Sequence, residues 1–128
     1  MDKLQAEILK AQDSLQDIAF SINKVPFKFY YRYLTLLEKV RIEQVSIKRF
    51  TKIDETGNTT VTNVKQDYLI PINTILEKSL DINGKRLFSS TDPKDFKTIS
   101  SLPAGIASYI AYKMSDDIFG TMGIENDK

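Results

Sequence analysis

The sequence predicts a mostly helical α+β domain, in which a small β-hairpin or short antiparallel sheet packs against four to five helices. Apolar residues recur at steps of three and four along several segments, as on one face of a helix, whereas one Thr-rich segment alternates as a strand does. The chain has 128 residues, of which 41% are hydrophobic and 27% charged, and this suits one globular core. We expect an amphipathic helix over residues 1–23, a single globular domain over residues 24–120 and a flexible tail over residues 121–128.

A narrow apolar stripe predicts the N-terminal helix. Its members follow one another at alternating steps of four and three: Leu4, Ile8, Ala11, Leu15, Ile18 and Ile22. Such a stripe is close to the two-per-seven seam of paired helices. We therefore expect a helix over residues 2–23 that packs on its own domain or on a helix of a partner, and a second copy of the chain is one candidate partner.

The middle of the chain predicts a strand, a helix and a hairpin. Pro26 ends the first helix, and the aromatic run after it predicts a strand over residues 27–33 with these side chains on one face: Phe27, Phe29, Tyr31 and Tyr33. Thr35 has the spacing of a capping box with the Glu three positions later, so we expect a helix from there to about Val45. Alternation over residues 46–64, with the turn sequence DETGN between its halves, predicts a β-hairpin.

Three further helices are predicted in the C-terminal half. The first begins at Pro71 and ends at the turn of residues 81–84, and its apolar positions are Ile72, Ile75, Leu76 and Leu80. The Asp-Pro pair at residues 92–93 caps and opens a short helix. The last helix begins near Pro103 and ends at Gly120, with apolar residues at steps of four: Ile106, Ile110, Met114 and Ile118.

The composition excludes most enzyme classes. Because the chain has no Cys and no His, it has no thiol nucleophile, no imidazole base and no thiolate or imidazole metal ligand. No glycine spacing matches a phosphate-binding loop. We expect no catalytic residue, no metal site and no cofactor. The absence of cysteine, of a signal peptide and of a membrane-spanning run predicts a soluble intracellular protein.

Positive charge is concentrated in one segment, although the net charge of the chain is only +1. Residues 22–52 hold eight basic and two acidic residues. The candidate phosphate contacts in this basic patch are Lys24, Lys28, Arg32, Arg41, Lys48 and Arg49. Together with the neighbouring aromatic run, these basic residues are typical of a face that binds single-stranded nucleic acid. A core position for the aromatics is favoured instead, because a small domain cannot leave several of them exposed.

A succession of turns and helix starts marks the C-terminal half. It comprises an Asp-x-x-Gly turn, a Leu-Phe pair, a capped short helix and a Leu-Pro helix start, at Asp81, Gly84, Leu87, Phe88, Asp92, Leu102 and Pro103. The segment YLIPINTILEKSLDINGKRLFSSTDPKDFKTISSLPAGIASYIAYKM therefore resembles the C-terminal half of bacteriophage tail assembly chaperones and the related baseplate-hub chaperones. Upstream, FKFYYRYLTLLEKVRI resembles the strand and the Leu-Thr-x-x-Glu helix start of the same proteins. These chaperones usually open with a strand, whereas this chain is predicted to open with a helix.

The resemblance implies a non-enzymatic, phage-encoded protein in the cytoplasm of the infected host cell, where it binds a tape-measure or baseplate-hub protein during tail assembly. A helical partner of that kind needs its apolar stripes covered, and helix faces of this chain are suited to cover them. The candidate partner-binding residues are Leu4, Ile8, Leu15, Ile18, Ile106 and Ile110. Ordinary core packing is the alternative for both groups, and it is favoured for the C-terminal one.

Two other functions stay open at this point. The first is a nucleic-acid-binding or transcription-machinery accessory factor that uses the basic segment, whose affinity would fall steeply with salt. The second is a structural component of the virion, in the neck or baseplate. The sequence favours the chaperone over the nucleic-acid-binding factor because the net charge is close to zero and no RNP-like pattern is present.

Overall fold

The computed structural model describes residues 2–65 and 69–120, and within them the side chains of residues 48–50, 63–65 and 116–120 lie outside the description. In this part of the chain the elements are α1 (Asp2–Asp13), β1 (Gln16–Ile22), β2 (Val25–Tyr31), α2 (Leu36–Val45), β3 (Ile47–Ile53), β4 (Thr59–Lys65), α3 (Leu69–Lys78), α4 (Pro93–Ser100) and α5 (Ala104–Gly120). The strands form two separate antiparallel sheets, β1–β2 and β3–β4. The fold is thus the small, mostly helical α+β fold that the sequence predicts.

The N-terminal helix is shorter than the apolar stripe predicts. α1 ends at Asp13, and Gln16–Ile22 form a strand, so the prediction of a helix over residues 2–23 is wrong in its second half. The sequence QDIAFSI also alternates, and Ile18 and Phe20 therefore fit a strand as well as a helix. Pairing with β2 decides between the two. Because Ile18 is part of the core, the globular domain starts upstream of the predicted boundary.

β1 and β2 form a hairpin around the two-residue turn Asn23-Lys24. Both residues have positive φ, at 54° and 65°, as a type I′ turn requires. The register places Pro26 opposite Ser21, one position beyond the Ile22–Val25 pair that flanks the turn, so the Ser21–Pro26 pair is not hydrogen-bonded. The missing amide of Pro26 therefore costs the hairpin no bond, which is why a proline is accepted in this strand. The strand predicted over residues 27–33 begins and ends two residues earlier.

α2 begins where the capping box predicts. The Glu38 amide donates to Thr35 Oγ1 and the Thr35 amide donates to Glu38 Oε1, both at 3.1 Å. This reciprocal pair satisfies two amide groups that a helix start leaves unbonded. The helix ends at Val45 as predicted.

The hairpin predicted over residues 46–64 is also confirmed, as β3–β4. At its tip, Asp54 Oδ1 accepts hydrogen bonds from the Thr56 and Asn58 amides at 2.9 Å, and Gly57 takes the positive φ that the turn needs. Hydrogen bonds from the Thr56 hydroxyl and the Asn58 amide lower the pKa of Asp54 below its ordinary 3.8. The tip is therefore a well-ordered turn that carries negative charge.

The predicted limits of α3 are wrong at both ends. The helix begins at Leu69, so Pro71 lies within its first turn rather than at its first position. It ends at Lys78, because Leu80 leaves the helix and exchanges backbone hydrogen bonds with Tyr30 of β2, at 2.9 and 2.7 Å. This bridge ties the end of α3 to the edge of the first hairpin.

The last two helices begin as predicted. Asp92 accepts a hydrogen bond from the Lys94 amide at 2.9 Å and caps α4, with Pro93 at the first helical position. α5 follows the Leu-Pro pair, and Gly120 is its last residue. The predicted flexible tail, residues 121–128, lies outside the described residues.

The core lies between the β1–β2 hairpin and helices α3, α4 and α5. Its buried members are Ile18, Tyr31, Ile75, Leu76, Ile99, Ile110, Ala111 and Met114. The Phe29 ring packs edge-on against Phe20 and Phe88, with centroids 4.9 and 5.5 Å apart. The aromatic segment is therefore largely a core element, as favoured above, although Phe27 stays exposed.

Candidate interaction surfaces

The first candidate surface is the apolar face of α1. None of the 12 residues of this helix is buried. Leu4 is 50% exposed, Ile8 40% and Leu9 61%. A helix of this length is marginally stable in water by itself, and here none of its side chains is buried in the domain to compensate. The face defined by Leu4, Ile8 and Leu9 is therefore an exposed apolar surface that contact with a partner would bury.

The other residues predicted to bind a partner lie elsewhere. Ile18 and Ile110 are buried in the core, with exposures of 1% and 0%, and Ile106 packs against that core. Leu15 is half-buried in the connection between α1 and β1. The predicted partner-binding role of Ile18 and Ile110 is thus wrong, because neither side chain can reach a partner in the folded chain. Of the N-terminal group, Leu4 and Ile8 remain candidates.

A second apolar surface, on α2, was missed by the sequence reasoning. Leu36 is 78% exposed, Leu37 80% and Val40 42%, whereas Ile42 on the other side of the helix is buried. At 100° per residue the three exposed side chains share one face of the helix. Apolar periodicity detects such a face but assigns it to the core, since it cannot tell which side of a helix meets the domain.

Polar contacts hold the opposite side of α2 against α3. Lys78 Nζ donates to both carboxylate oxygens of Glu38 at 3.0 Å, and the Lys78 side chain is almost completely buried. Arg41 donates to Glu77 at 3.0 Å. At the end of α2, the buried Ser46 hydroxyl donates to the Ile42 carbonyl at 2.8 Å. Charged groups therefore face the domain, and leucines face the solvent.

The charge of Glu38 is stabilised at this contact. Burial by itself raises the pKa of the carboxyl group, but the Thr35 amide and the hydrogen bonds and charge of Lys78 outweigh it. The pKa of Glu38 consequently lies below its ordinary 4.5. The ionised Glu38–Lys78 pair therefore contributes, with buried Ile42 and the Arg41–Glu77 pair, to the orientation of α2 that exposes its leucines.

The predicted basic patch is divided among several elements. Lys24 lies in the turn of the first hairpin, Lys28 on β2, Arg32 just after β2, Arg41 on α2, and Lys48 and Arg49 on β3. Lys28 pairs with Asp17 at 3.4 Å and Arg41 with Glu77 at 3.0 Å. Two of these cations thus have carboxylate partners, which lowers their availability for phosphate. The side chains of Lys48 and Arg49 are outside the description.

A groove of about 260 Å³ lies between α3 and α5. It is lined by Ile70, Pro71, Thr74, Ser108, Ala111, Tyr112 and Ser115. The Thr74 and Ser115 hydroxyls donate to carbonyls of their own helices, at 2.7 and 2.6 Å. Among the described residues its lining has no carboxylate, amine or guanidinium, and Tyr112 is the one titratable side chain there.

Among the described side chains, which leave out residues 48–50, 63–68 and 116–128, no three Asp or Glu gather in a way that could hold a metal ion. The helices described in residues 2–65 and 69–120 are too short or too polar to cross a membrane.

Comparisons with protein-family models, with curated proteins and with solved structures each found no match to this chain.

Proposed function

We propose that the chain is a non-enzymatic assembly chaperone of the bacteriophage tail type, which covers an apolar helix of a tape-measure or baseplate-hub protein in the cytoplasm of the infected cell. The observation that supports this proposal most is α1, an amphipathic helix without a buried residue. The absence of His and Cys supports a role in binding rather than catalysis.

The two apolar surfaces suit a helical partner. On α1 the exposed side chains span successive turns, which is how an amphipathic helix contacts another helix. On α2 the two leucines are about four-fifths exposed, which is unusual for a small domain unless a partner covers them. A partner helix with its own apolar stripe would bury these faces and stabilise α1.

The proposal is tested by co-purifying the chain with the tape-measure protein of the phage that encodes it and by measuring the affinity by titration calorimetry. We expect Ile8→Asp and Leu37→Asp each to weaken binding at least tenfold, or about 1.4 kcal/mol, because each places a charge in an apolar contact. Lys3→Asp is the control. It places the same carboxylate at an exposed position at least about 100° around the helix from Leu4, Ile8 and Leu9, and it should leave the affinity unchanged.

Other results would contradict the proposal. If Ile8→Asp abolishes the thermal unfolding transition, α1 belongs to the core. If the chain binds single-stranded DNA at about 50 mM salt and releases it by about 200 mM, the nucleic-acid function is favoured. If mass spectrometry finds the chain in purified particles, it is a component of the virion rather than a chaperone.

A further inference from the structure

The hairpin β3–β4 extends away from the core. Every residue of its outer part, 51–62, is exposed, and no described side chain of either strand belongs to the buried cluster. Isolated two-stranded hairpins are marginally stable in water. A long hairpin with an ordered tip and with residues 51–62 exposed therefore offers strand edges with which another strand could pair.

The hydrogen-bond pattern shows which backbone groups of the hairpin point outward. The Asp54 amide donates to the Asn58 carbonyl at 2.9 Å, so this pair at the tip is hydrogen-bonded. Pairs alternate along an antiparallel hairpin, and the register puts Thr51 opposite Val61, three pairs further on. That pair is consequently not hydrogen-bonded within the hairpin. The amide and carbonyl groups of Thr51 point outward from the β3 edge, and those of Val61 point outward from the β4 edge.

The two edges differ in how well they are protected. β3 carries three basic residues, Lys48, Arg49 and Lys52, and charge along an edge opposes pairing with another chain. β4 reads TTVTNVK and has no charge, proline or glycine before its last residue. Its composition favours strand pairing, and it lacks the devices that natural proteins use to prevent it.

The first hairpin provides the contrast. On the outer edge of β2, Pro26 has no amide to offer, and Tyr30 already exchanges hydrogen bonds with Leu80. That edge is protected within the chain. The β4 edge has no comparable protection among the described residues.

The charges of the second hairpin are arranged along its length. Asp54 and Glu55 lie at the tip with Lys52 two residues before Asp54, so the tip keeps a net negative charge, whereas the sequence and register place Lys48, Arg49 and Lys65 at the base. A nucleic acid approaching along the hairpin would meet the negative tip. A second hairpin lying antiparallel would instead place its tip beside the base of the first, with opposite charges adjacent.

We propose that β4 pairs antiparallel with β4 of a second copy across a twofold axis, which joins the two hairpins into one four-stranded sheet. In the register that uses the whole strand, Val61 lies opposite Asn63 of the second copy and Thr59 opposite Lys65. Thr62 then lies on the axis, opposite Thr62 of the second copy. The contact is isologous, as twofold dimers are, and it uses no residue of the α1 and α2 apolar faces.

Two proline variants of the full chain test the pairing. We expect the wild type to dimerise in sedimentation equilibrium and Val61→Pro to weaken the dimer at least tenfold, because it removes an outward amide without removing a bond of the hairpin. Thr51→Pro is the matched control, since it makes the same change at the directly opposite position on the β3 edge. It should leave dimerisation unchanged.

A cysteine variant tests the same contact without disturbing the backbone. The chain has no Cys, so Thr62→Cys introduces the only one. In the proposed register the two copies of residue 62 form a pair without hydrogen bonds, about 4.5 Å apart at Cα, which is within the range of a disulfide. We expect Thr62→Cys to form a covalent dimer under mild oxidation and Thr51→Cys not to do so.

Three outcomes would overturn the proposal. The first is a wild type that stays monomeric at all concentrations up to about 1 mM, the weakest affinity worth testing for a specific contact. The second is equal cross-linking of Thr62→Cys and Thr51→Cys. The third is a dimer that survives Val61→Pro but is lost in Ile8→Asp, because the copies would then associate through α1.

Discussion

Glu38 has two structural roles at one carboxylate. It completes the capping box of α2 with Thr35, and it pairs with Lys78 of α3 at 3.0 Å. The Lys78 side chain is almost completely buried, and Glu38 is the ion-pair partner that offsets the cost of burying its ammonium group. Loss of the Glu38 charge therefore weakens a helix start and leaves a buried cation unpaired.

We expect Glu38→Gln to lower the free energy of unfolding at neutral pH by about 3 kcal/mol, the scale found when a buried ion pair loses one partner. The pKa of Glu38 is depressed in the folded state, so its contribution is complete above the ordinary value of 4.5 and is lost as the pH falls through the folded value. The difference between variant and wild type should thus shrink below pH 4.5. Urea denaturation across this pH range measures it.

The control for this experiment is Glu55→Gln, which removes an exposed carboxylate at the tip of the second hairpin. It should change stability little at any pH. If Glu38→Gln lowers the free energy of unfolding by the same amount down to about pH 3, the loss does not come from the ionised pair.

Two isoleucines of the same predicted stripe provide a second test at single residues. Ile8 is 40% exposed and Ile18 is 1% exposed. We expect Ile18→Ala to lower the free energy of unfolding by about 2 to 5 kcal/mol, and Ile8→Ala by less than about 0.5 kcal/mol. Thermal or urea denaturation compares them directly. Equal losses would mean that Ile8 is packed in the same way as Ile18.

Among the elements, the first hairpin has the clearest local determinant. Its turn places Asn23 and Lys24 in the left-handed region, which Asn tolerates and Lys does not favour. The hairpin forms nevertheless, since its inner face supplies Ile18 and Tyr31 to the core. Core packing thus compensates for an unfavourable residue in the turn.

We expect Lys24→Gly to stabilise the protein by about 0.5 to 1 kcal/mol, because glycine adopts the φ of 65° without steric cost and Asn-Gly is the preferred type I′ pair. The midpoint of urea denaturation measures the gain. Lys28→Gly is the control: it places glycine within β2, where it should destabilise the hairpin. A loss of stability in Lys24→Gly would mean that the lysine side chain contributes more than its backbone strain costs.

At the scale of the whole molecule, the protein has a packed part and an extended part. The packed part comprises the first hairpin with α3, α4 and α5, and α2 is joined to it by ion pairs. The extended part comprises α1 and the outer half of β3–β4, whose residues are almost all solvent-accessible. The proposed contact with a second copy uses only the extended part, whereas the proposed contact with a helical partner uses α1 together with the exposed leucine face of α2.

This division predicts the pattern of amide hydrogen exchange. In dilute solution, where no dimer forms, amides of α1 and of residues 51–62 should exchange through local opening that costs much less than global unfolding. Amides of Ile75, Leu76 and Ile110 should exchange only by global unfolding. At high concentration the Val61 amide should become protected, if β4 pairs as proposed. Uniform protection across the molecule would contradict the division.

Predictions from local signals were the accurate ones. The capping box of α2, the Asp-Pro start of α4 and the turn of the second hairpin each involve residues within a few positions of one another, and all three form as expected. The errors fell where two periodicities fit the same residues. β1 was predicted as helix because its isoleucines also continue a helical stripe, and Leu80 was placed in α3 for the same reason.

The sequence by itself determined the helix caps, the hairpin turn, the α+β class and the absence of imidazole and thiol chemistry, because each depends on residue types or on neighbours along the chain. Only the tertiary structure decided that Gln16–Ile22 pair as a strand, that α2 turns its leucines outward, and that Ile18 is buried while Ile8 is not. Those outcomes depend on partners distant in the chain, such as Tyr31 for β1 and Lys78 for α2. Apolar spacing indicates that a helix or strand has an apolar face. The contact energy of the assembled fold selects which of these faces is buried in the core.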